Sequence, residues 1–129
     1  MSFYNGKNVL ITGAAGITGQ SAVNRLLDEG AYVRACIFNN KKFSIEHKNL
    51  EIVKYDLMDY QQCLESVKDM DICLNFAAFI KGAKGHSDPN NYLDYIRFNL
   101  NLSINMFDAA IRNNIDRFGL LEVLQCILM

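Results

Sequence analysis

The sequence predicts a doubly wound parallel α/β sheet, and three observations carry that prediction. Short apolar runs rich in β-branched residues recur along the chain, amphipathic stretches of helical spacing separate them, and a glycine-rich turn joins the first run to the first helix. Strands that alternate with helices need crossover connections, which bring the strands together in parallel. The 129 residues are 50% hydrophobic with one Pro, so the chain carries enough apolar side chain to offset the entropy of ordering a single domain.

The first element is Asn8 to Thr12, NVLIT, an apolar strand that stops at the turn Gly13-Ala14-Ala15-Gly16-Ile17-Thr18-Gly19. A helix follows with Ile17, Val23, Leu26 and Leu27 on one side and Gln20, Asn24, Arg25, Asp28 and Glu29 on the other, and Gly30 ends it. Tyr32 to Phe38 is the second strand, closed by the polar run Asn39 to Lys42. Glu51 to Tyr55 is the third. After it Asp59 is placed to cap a helix reaching about Lys68, with Cys63, Leu64 and Val67 inward. Asp71 to Phe76 reads as a buried strand, 81–91 as a loop, and Tyr92 to Arg112 as a long helix with the apolar stripe Tyr92, Tyr95, Ile96, Met106, Phe107 and Ala110.

Composition excludes several functions. Thirteen basic against 14 acidic residues give a formal charge of −1, which removes the field expected of a nucleic-acid or anionic-membrane binder. No apolar run approaches the roughly 20 residues of a spanning helix, and the first ten residues lack a secretory core, so no membrane is expected and the cytoplasm is the expected compartment. Cys36, Cys63, Cys73 and Cys126 show neither C-x-x-C nor histidines at zinc spacing, so they read as reduced structural thiols with no metal.

The glycine turn carries the chemistry. Directly after a strand and opening a helix, Gly13 can take positive φ, Gly16 leaves the main chain open to a pyrophosphate, and Gly19 lets the helix pack close to the strand. The free N–H groups and dipole of the helix start, at Ile17 and Thr18, would hold the phosphates. With Thr12 in front, the T-G-x-x-G-x-x-G spacing resembles the extended short-chain dehydrogenase/reductase family of NAD(P)-dependent epimerases, dehydratases and reductases of nucleotide sugars. Further landmarks follow in the family's order. Asp56-Leu57 resembles the pair that contacts adenine, Asn75-Phe76-Ala77-Ala78 resembles the [NH]-x-A-A segment whose backbone lines the cofactor, and Asn99 matches a helix asparagine near the active site. Read alone, Asp56 and Asn75 could each simply end a strand, and Asn99 could be an inward asparagine bonded to backbone.

The resemblance implies a Rossmann-like sheet, incomplete in this chain and limited to its N-terminal half, over 1–119. It also implies a dinucleotide cofactor, a nucleotide-sugar substrate and a homodimer for the full-length enzyme. After the second strand, Cys36-Ile37-Phe38-Asn39 offers no acid for a ribose 2′-hydroxyl, while Arg34, Lys41 and Lys42 could neutralise a 2′-phosphate. NADP is therefore expected over NAD. Within the family, 78–89 is most similar to the GDP-fucose synthases, although His86 on that polar loop reads more simply as a surface residue.

The family's chemistry requires a catalytic Ser or Thr and a Tyr-x-x-x-Lys. Here Tyr4, Tyr32, Tyr55, Tyr60, Tyr92 and Tyr95 are followed four residues on by Asn8, Cys36, Asp59, Leu64, Ile96 and Asn99. No catalytic residue is therefore assigned, with Asn99 the sole supporting candidate. Residues 120–129 form a divergent tail. Back-translated with one added T, Gly119 to Leu128 can encode G-F-I-G-S-S-T-V-Y-P, the segment the family carries there, so a frameshifted tail is the expectation and a C-terminal helix the alternative. The functional expectation is the cofactor-binding part of a nucleotide-sugar epimerase or reductase, inactive by itself. A non-catalytic NADP-binding or sensing domain and a non-functional truncated product are the alternatives.

Overall fold

A computed structural model describes residues 2–38, 43–78 and 89–121, the side chains of 89–92 excepted. Within them lie five strands and three helices. These are β1 (Asn8–Thr12), α1 (Ile17–Asp28), β2 (Tyr32–Ile37), β3 (Leu50–Lys54), α2 (Tyr60–Ser66), β4 (Ile72–Asn75), α3 (Pro89–Arg112) and β5 (Arg117–Leu120). The strands form one parallel sheet in the order β3-β2-β1-β4-β5. The Rossmann-like expectation is met. Lys41, residues 79–88 with His86 and most of the expected 81–91 loop, and the tail 122–129 with Cys126 lie outside the described residues.

Each face of the sheet has its own apolar layer, which explains why β1 is apolar at successive positions. Val9 and Ile11 point to one side, where they meet Val23, Leu26 and Leu27 of α1 together with Val33, Ala35 and Ile37 of β2. Leu10 points to the other, with Cys36, Cys73, Cys63 and Val67 of the α2 segment and Leu102, Met106 and Ala109 of α3. All of these side chains are buried. Asp59 caps α2 as expected, its carboxylate accepting from the Gln61 N–H at 3.0 Å.

Three expectations change. Ile17, assigned to the buried stripe of α1, is 91% exposed, because it is the first helical residue and stands at the open end of the helix. Phe107 is half exposed on α3 and packs edge-to-face on Phe118 at 5.3 Å, while the inward stripe runs through Tyr95, Leu102, Met106, Ala109 and Ala110. Finally, α3 begins at Pro89 instead of Tyr92, since proline suits the first turn, where its missing N–H costs nothing.

Candidate functional site

In this strand order β1 lies between β2 and β4, so the chain departs in opposite directions from neighbouring strand ends. In open α/β sheets the crevice beyond the carboxyl ends at such a point is where ligands bind. Two segments meet there, the glycine turn after β1 and Asn75 to Ala78 at the end of β4.

Their contact is tight. Gly13 has φ +62, and a Cβ on it would lie 2.6 Å from the Phe76 carbonyl oxygen and 2.8 Å from the Ala77 nitrogen. A Cβ on Gly19 would lie 2.1 Å from the Gly13 oxygen. These two glycines are therefore demanded by the protein's own packing. Gly16 differs, because the nearest atom to its Cβ position is the Gly13 oxygen at 3.4 Å, an ordinary contact. Packing alone does not require a glycine at 16. Close approach of a ligand to the main chain would.

Gly16 is also the N-cap of α1, with extended backbone and no side-chain cap, and no acidic residue stands in the first turn. The first helical closure is the Gln20 N–H to the Gly16 oxygen at 2.9 Å, so the N–H groups of Ile17, Thr18 and Gly19 precede the intrahelical ladder. Gly16, Ile17 and Thr18 are exposed. This open helix start has the positive dipole end and the donors that a diphosphate requires.

A buried polar relay fixes the two strand ends. The Thr12 hydroxyl donates to Asn75 Oδ1 at 2.5 Å and accepts from the Ala77 N–H at 3.1 Å. Thr12 and Asn75 are fully buried, and Asn75 Nδ2 has no partner among the described residues. Sequence reasoning found Asn75 and Ala77 but assigned Thr12 no bonding role. Its signal was a polar residue closing an otherwise apolar strand.

The remaining sequence candidates lie apart. Asp56 and Leu57 follow β3, two strands from β1. The Asp56 carboxylate accepts from the Met58 N–H at 2.9 Å, an Asx turn, and its own N–H donates to Gln62 Oε1 at 2.8 Å. Leu57 is buried, and its carbonyl accepts from the Cys63 thiol at 3.1 Å and from Asn105 Nδ2 at 3.3 Å. Asn99 lies in α3, on the other layer from α1, and its amide donates to the Tyr95 carbonyl at 3.2 Å.

Arg34, offered as a 2′-phosphate cation, is committed elsewhere. Its Nε pairs with Glu51 at 2.9 Å, and Nη1 donates to the carbonyls of Ser66 at 3.0 Å and Lys68 at 2.7 Å. A cation at the carboxyl end of α2 meets the negative end of the helix dipole, which is a structural role. The thiols of the three described cysteines are structural too. Burial pushes Cys36 and Cys73 up to about 12 and Cys63 to about 11, so none is a thiolate nucleophile at neutral pH. Among the described residues no group of three His, Cys, Asp or Glu could hold a metal ion, and no helix is long and apolar enough to cross a membrane.

Comparison with known proteins agrees with this geometry. The sequence matches the NAD dependent epimerase/dehydratase family over residues 9–122. The 3β-hydroxysteroid dehydrogenase/Δ5→4-isomerase of Mycobacterium tuberculosis is 31% identical over 112 residues, 85% of this chain and 30% of that protein. Among solved structures, the UDP-N-acetylglucosamine 4-epimerase of Methanobrevibacter ruminantium M1, in complex with UDP-N-acetylmuramic acid, is 30% identical with a TM-score of 0.71. The match covers 88% of this chain and 37% of that one. The Bordetella bronchiseptica enzyme WbmH, in complex with NAD+, is 25% identical with a TM-score of 0.71, over 88% of this chain and 38% of that one. The chain thus spans between 30% and 38% of the length of these proteins.

Proposed function

Because the chain belongs to the NAD-dependent epimerase/dehydratase family, we propose that it is the cofactor-binding part of an NAD(P)-dependent nucleotide-sugar epimerase or reductase. The observation that carries the reading is the contrast within the glycine turn. Gly13 and Gly19 are required by packing, whereas Gly16 has room for a Cβ and yet has none, at the uncapped start of α1. A bound nicotinamide would supply or accept the hydride. The chain's part is to bind and orient. The N–H groups of Ile17, Thr18 and Gly19 hold the diphosphate, the backbone of Asn75 to Ala78 forms the opposite wall, and Asp56-Leu57 borders the adenine.

The preferred cofactor is NADP, with NAD second. No acid stands in Cys36-Ile37-Phe38-Asn39 to engage a ribose 2′-hydroxyl, and with Arg34 committed to α2 the 2′-phosphate falls to Lys41, with Lys42 beside it in sequence. The whole enzyme would pass hydride at a sugar keto group with epimerisation, as the GDP-fucose synthases do, and act as a homodimer on a nucleotide sugar, with Asn99 supporting its active site. A nucleotide-sugar substrate is favoured by the 30% identical epimerase, itself solved with a nucleotide sugar. This chain by itself is catalytically silent, since none of its six tyrosines opens a Tyr-x-x-x-Lys. That same absence favours, as second reading, a domain that binds or senses NADP without turnover.

Titration of the full chain with NADPH and NADH, followed by ligand fluorescence, tests the reading. Saturable binding with NADPH the tighter is the expected result. Absence of binding by a chain that circular dichroism shows to be folded would overturn the cofactor assignment, and turnover of any nucleotide sugar would overturn the expected inactivity.

A further inference from the structure

On the face of the sheet that carries α1, a groove of about 370 Å³ lies over β4 and β5, lined by Tyr4, Ile72, Leu74, Arg117, Phe118 and Gly119. Its floor follows from strand register. Ile72 stands opposite Arg117 and Leu74 opposite Gly119, so these four positions share one face, and Ile72 and Leu74 belong to the apolar layer on which α1 packs. Because α1 lies against β1 and β2, the β4 and β5 part of that face has no covering helix among the described residues. Gly119 keeps the hollow open, since a Cβ there would lie 3.0 Å from Leu74 Cδ2. Two polar groups border the apolar floor. Arg25, Arg34 and Arg112 each pair with a carboxylate, whereas the Arg117 guanidinium makes no ion pair or hydrogen bond among the described residues and lies 4.8 Å over the Phe3 ring. The Tyr4 hydroxyl likewise bonds no group among the described residues.

We propose that this groove binds a small apolar carboxylate, its acid on the Arg117 guanidinium and its hydrocarbon body on Ile72, Leu74 and Gly119. The site is separate from the crevice beyond the carboxyl end of β1, and it stands independently of the cofactor reading. A guanidinium takes a carboxylate through two parallel N–H···O bonds, and a cation already stacked on an aromatic ring loses less freedom when that pair forms. Tyr4 supplies a phenolic donor on the same groove. The class of ligand follows from the lining. A bare anion would leave the apolar floor uncovered, and a neutral hydrocarbon would leave Arg117 without a partner. At interior packing density the volume admits on the order of a dozen non-hydrogen atoms, the size of a medium-chain acid.

The test uses the full chain with three probes: octanoate below its micelle concentration, octanol, which has the body without the acid, and acetate, which has the acid without the body. Amide NMR titration with octanoate is expected to give saturable shifts at 72–74 and 117–119 and none at 13–19. Octanol and acetate should each bind at least about tenfold more weakly. Arg117→Met should weaken octanoate about tenfold and leave octanol unchanged, and Arg117→Lys should recover part of the loss. Native octanoate affinity in Arg117→Met overturns the proposal. Equal binding of octanol overturns it as well, because the groove would then be an apolar surface only. Shifts confined to the glycine turn, or no saturable binding by a native chain that circular dichroism shows to be folded, also overturn it. The probe comparison needs only the native chain, so the proposal remains open to refutation even where a variant does not fold. NADPH titration of the same samples keeps the two readings apart, since either can fail with the other standing.

Discussion

The hydroxyl of Thr12 at the end of β1 donates to the side-chain oxygen of Asn75 at the end of β4, with both residues fully buried, and the same hydroxyl accepts from the N–H of Ala77. One side chain thus holds the floor of the crevice to its far wall. Replacing it with the isosteric valine leaves the Ala77 N–H and the Asn75 oxygen buried without that partner. Thr12→Val is therefore expected to lower stability by about 1–3 kcal/mol in denaturant unfolding. Thr12→Ser, which keeps the hydroxyl, should stay close to the native value.

The three glycines of the turn should separate by experiment. Gly13→Ala combines a φ of +62 with a Cβ 2.6 Å from the Phe76 oxygen, and Gly19→Ala drives a Cβ to 2.1 Å from the Gly13 oxygen. Neither obstacle is a flexible side-chain end, so each change is expected to cost about 4 kcal/mol or more and to unfold much of the population. Gly16→Ala meets nothing closer than 3.4 Å. As an N-cap change it should lower the melting temperature by only about 2–5 °C while losing most of the dinucleotide affinity, because the methyl group stands where the pyrophosphate approaches. Thermal melts paired with nucleotide titrations distinguish the two behaviours.

Arg34 and Lys41 are expected to divide stability from specificity. Arg34→Met removes the pairing with Glu51 and the bonds to the carbonyls of Ser66 and Lys68. It should lower stability by about 1–2 kcal/mol and leave the NADPH to NADH affinity ratio unchanged. Lys41→Ala should shift the ratio toward NADH. Chemical denaturation and paired titrations read the two effects independently.

Three thiols impose an alkaline limit. Cys36, Cys63 and Cys73 are held up to about 12, 11 and 12 by burial, against an ordinary value of 9.0. Well below pH 9 the thiols are neutral both folded and unfolded, so they add no slope. Above it the unfolded chain ionises first, and stability should fall with rising pH until the folded values are reached near 11 to 12. Each thiol inside that window contributes up to about 1.4 kcal/mol per pH unit. Urea unfolding at pH 7, 9 and 10.5 checks the trend, and Cys36→Ala should flatten it.

Much of the fold was legible because local pattern and global architecture agree. β1, the Gly13 turn, the Asp59 cap and the Gly30 stop all follow from side-chain period and backbone preference, which act over a few residues. The errors came where long-range packing overrides period. Ile17 is apolar at helical spacing and still exposed, because a helix's first residue projects beyond the layer that buries its later turns. Phe107 lies outside the buried face of α3, since a long helix carries more apolar positions than one sheet can cover.

By itself the sequence determined the doubly wound class, the place of the glycine turn and the absence of Tyr-x-x-x-Lys, because each is a matter of residue type and spacing. Tertiary structure alone decided that packing demands a glycine at 13, because the carbonyl that closes on it belongs to Phe76, just after β4 and some sixty residues away, while the fold of the turn itself sets the Gly13 oxygen against Gly19 and leaves room at Gly16. It also decided that Arg34 belongs to the end of α2, and that Thr12 bonds Asn75 across 63 positions of chain. Hydrogen bonds and close contacts are made at a few ångströms in space, and parallel pairing sets those distances between residues that sequence spacing leaves far apart.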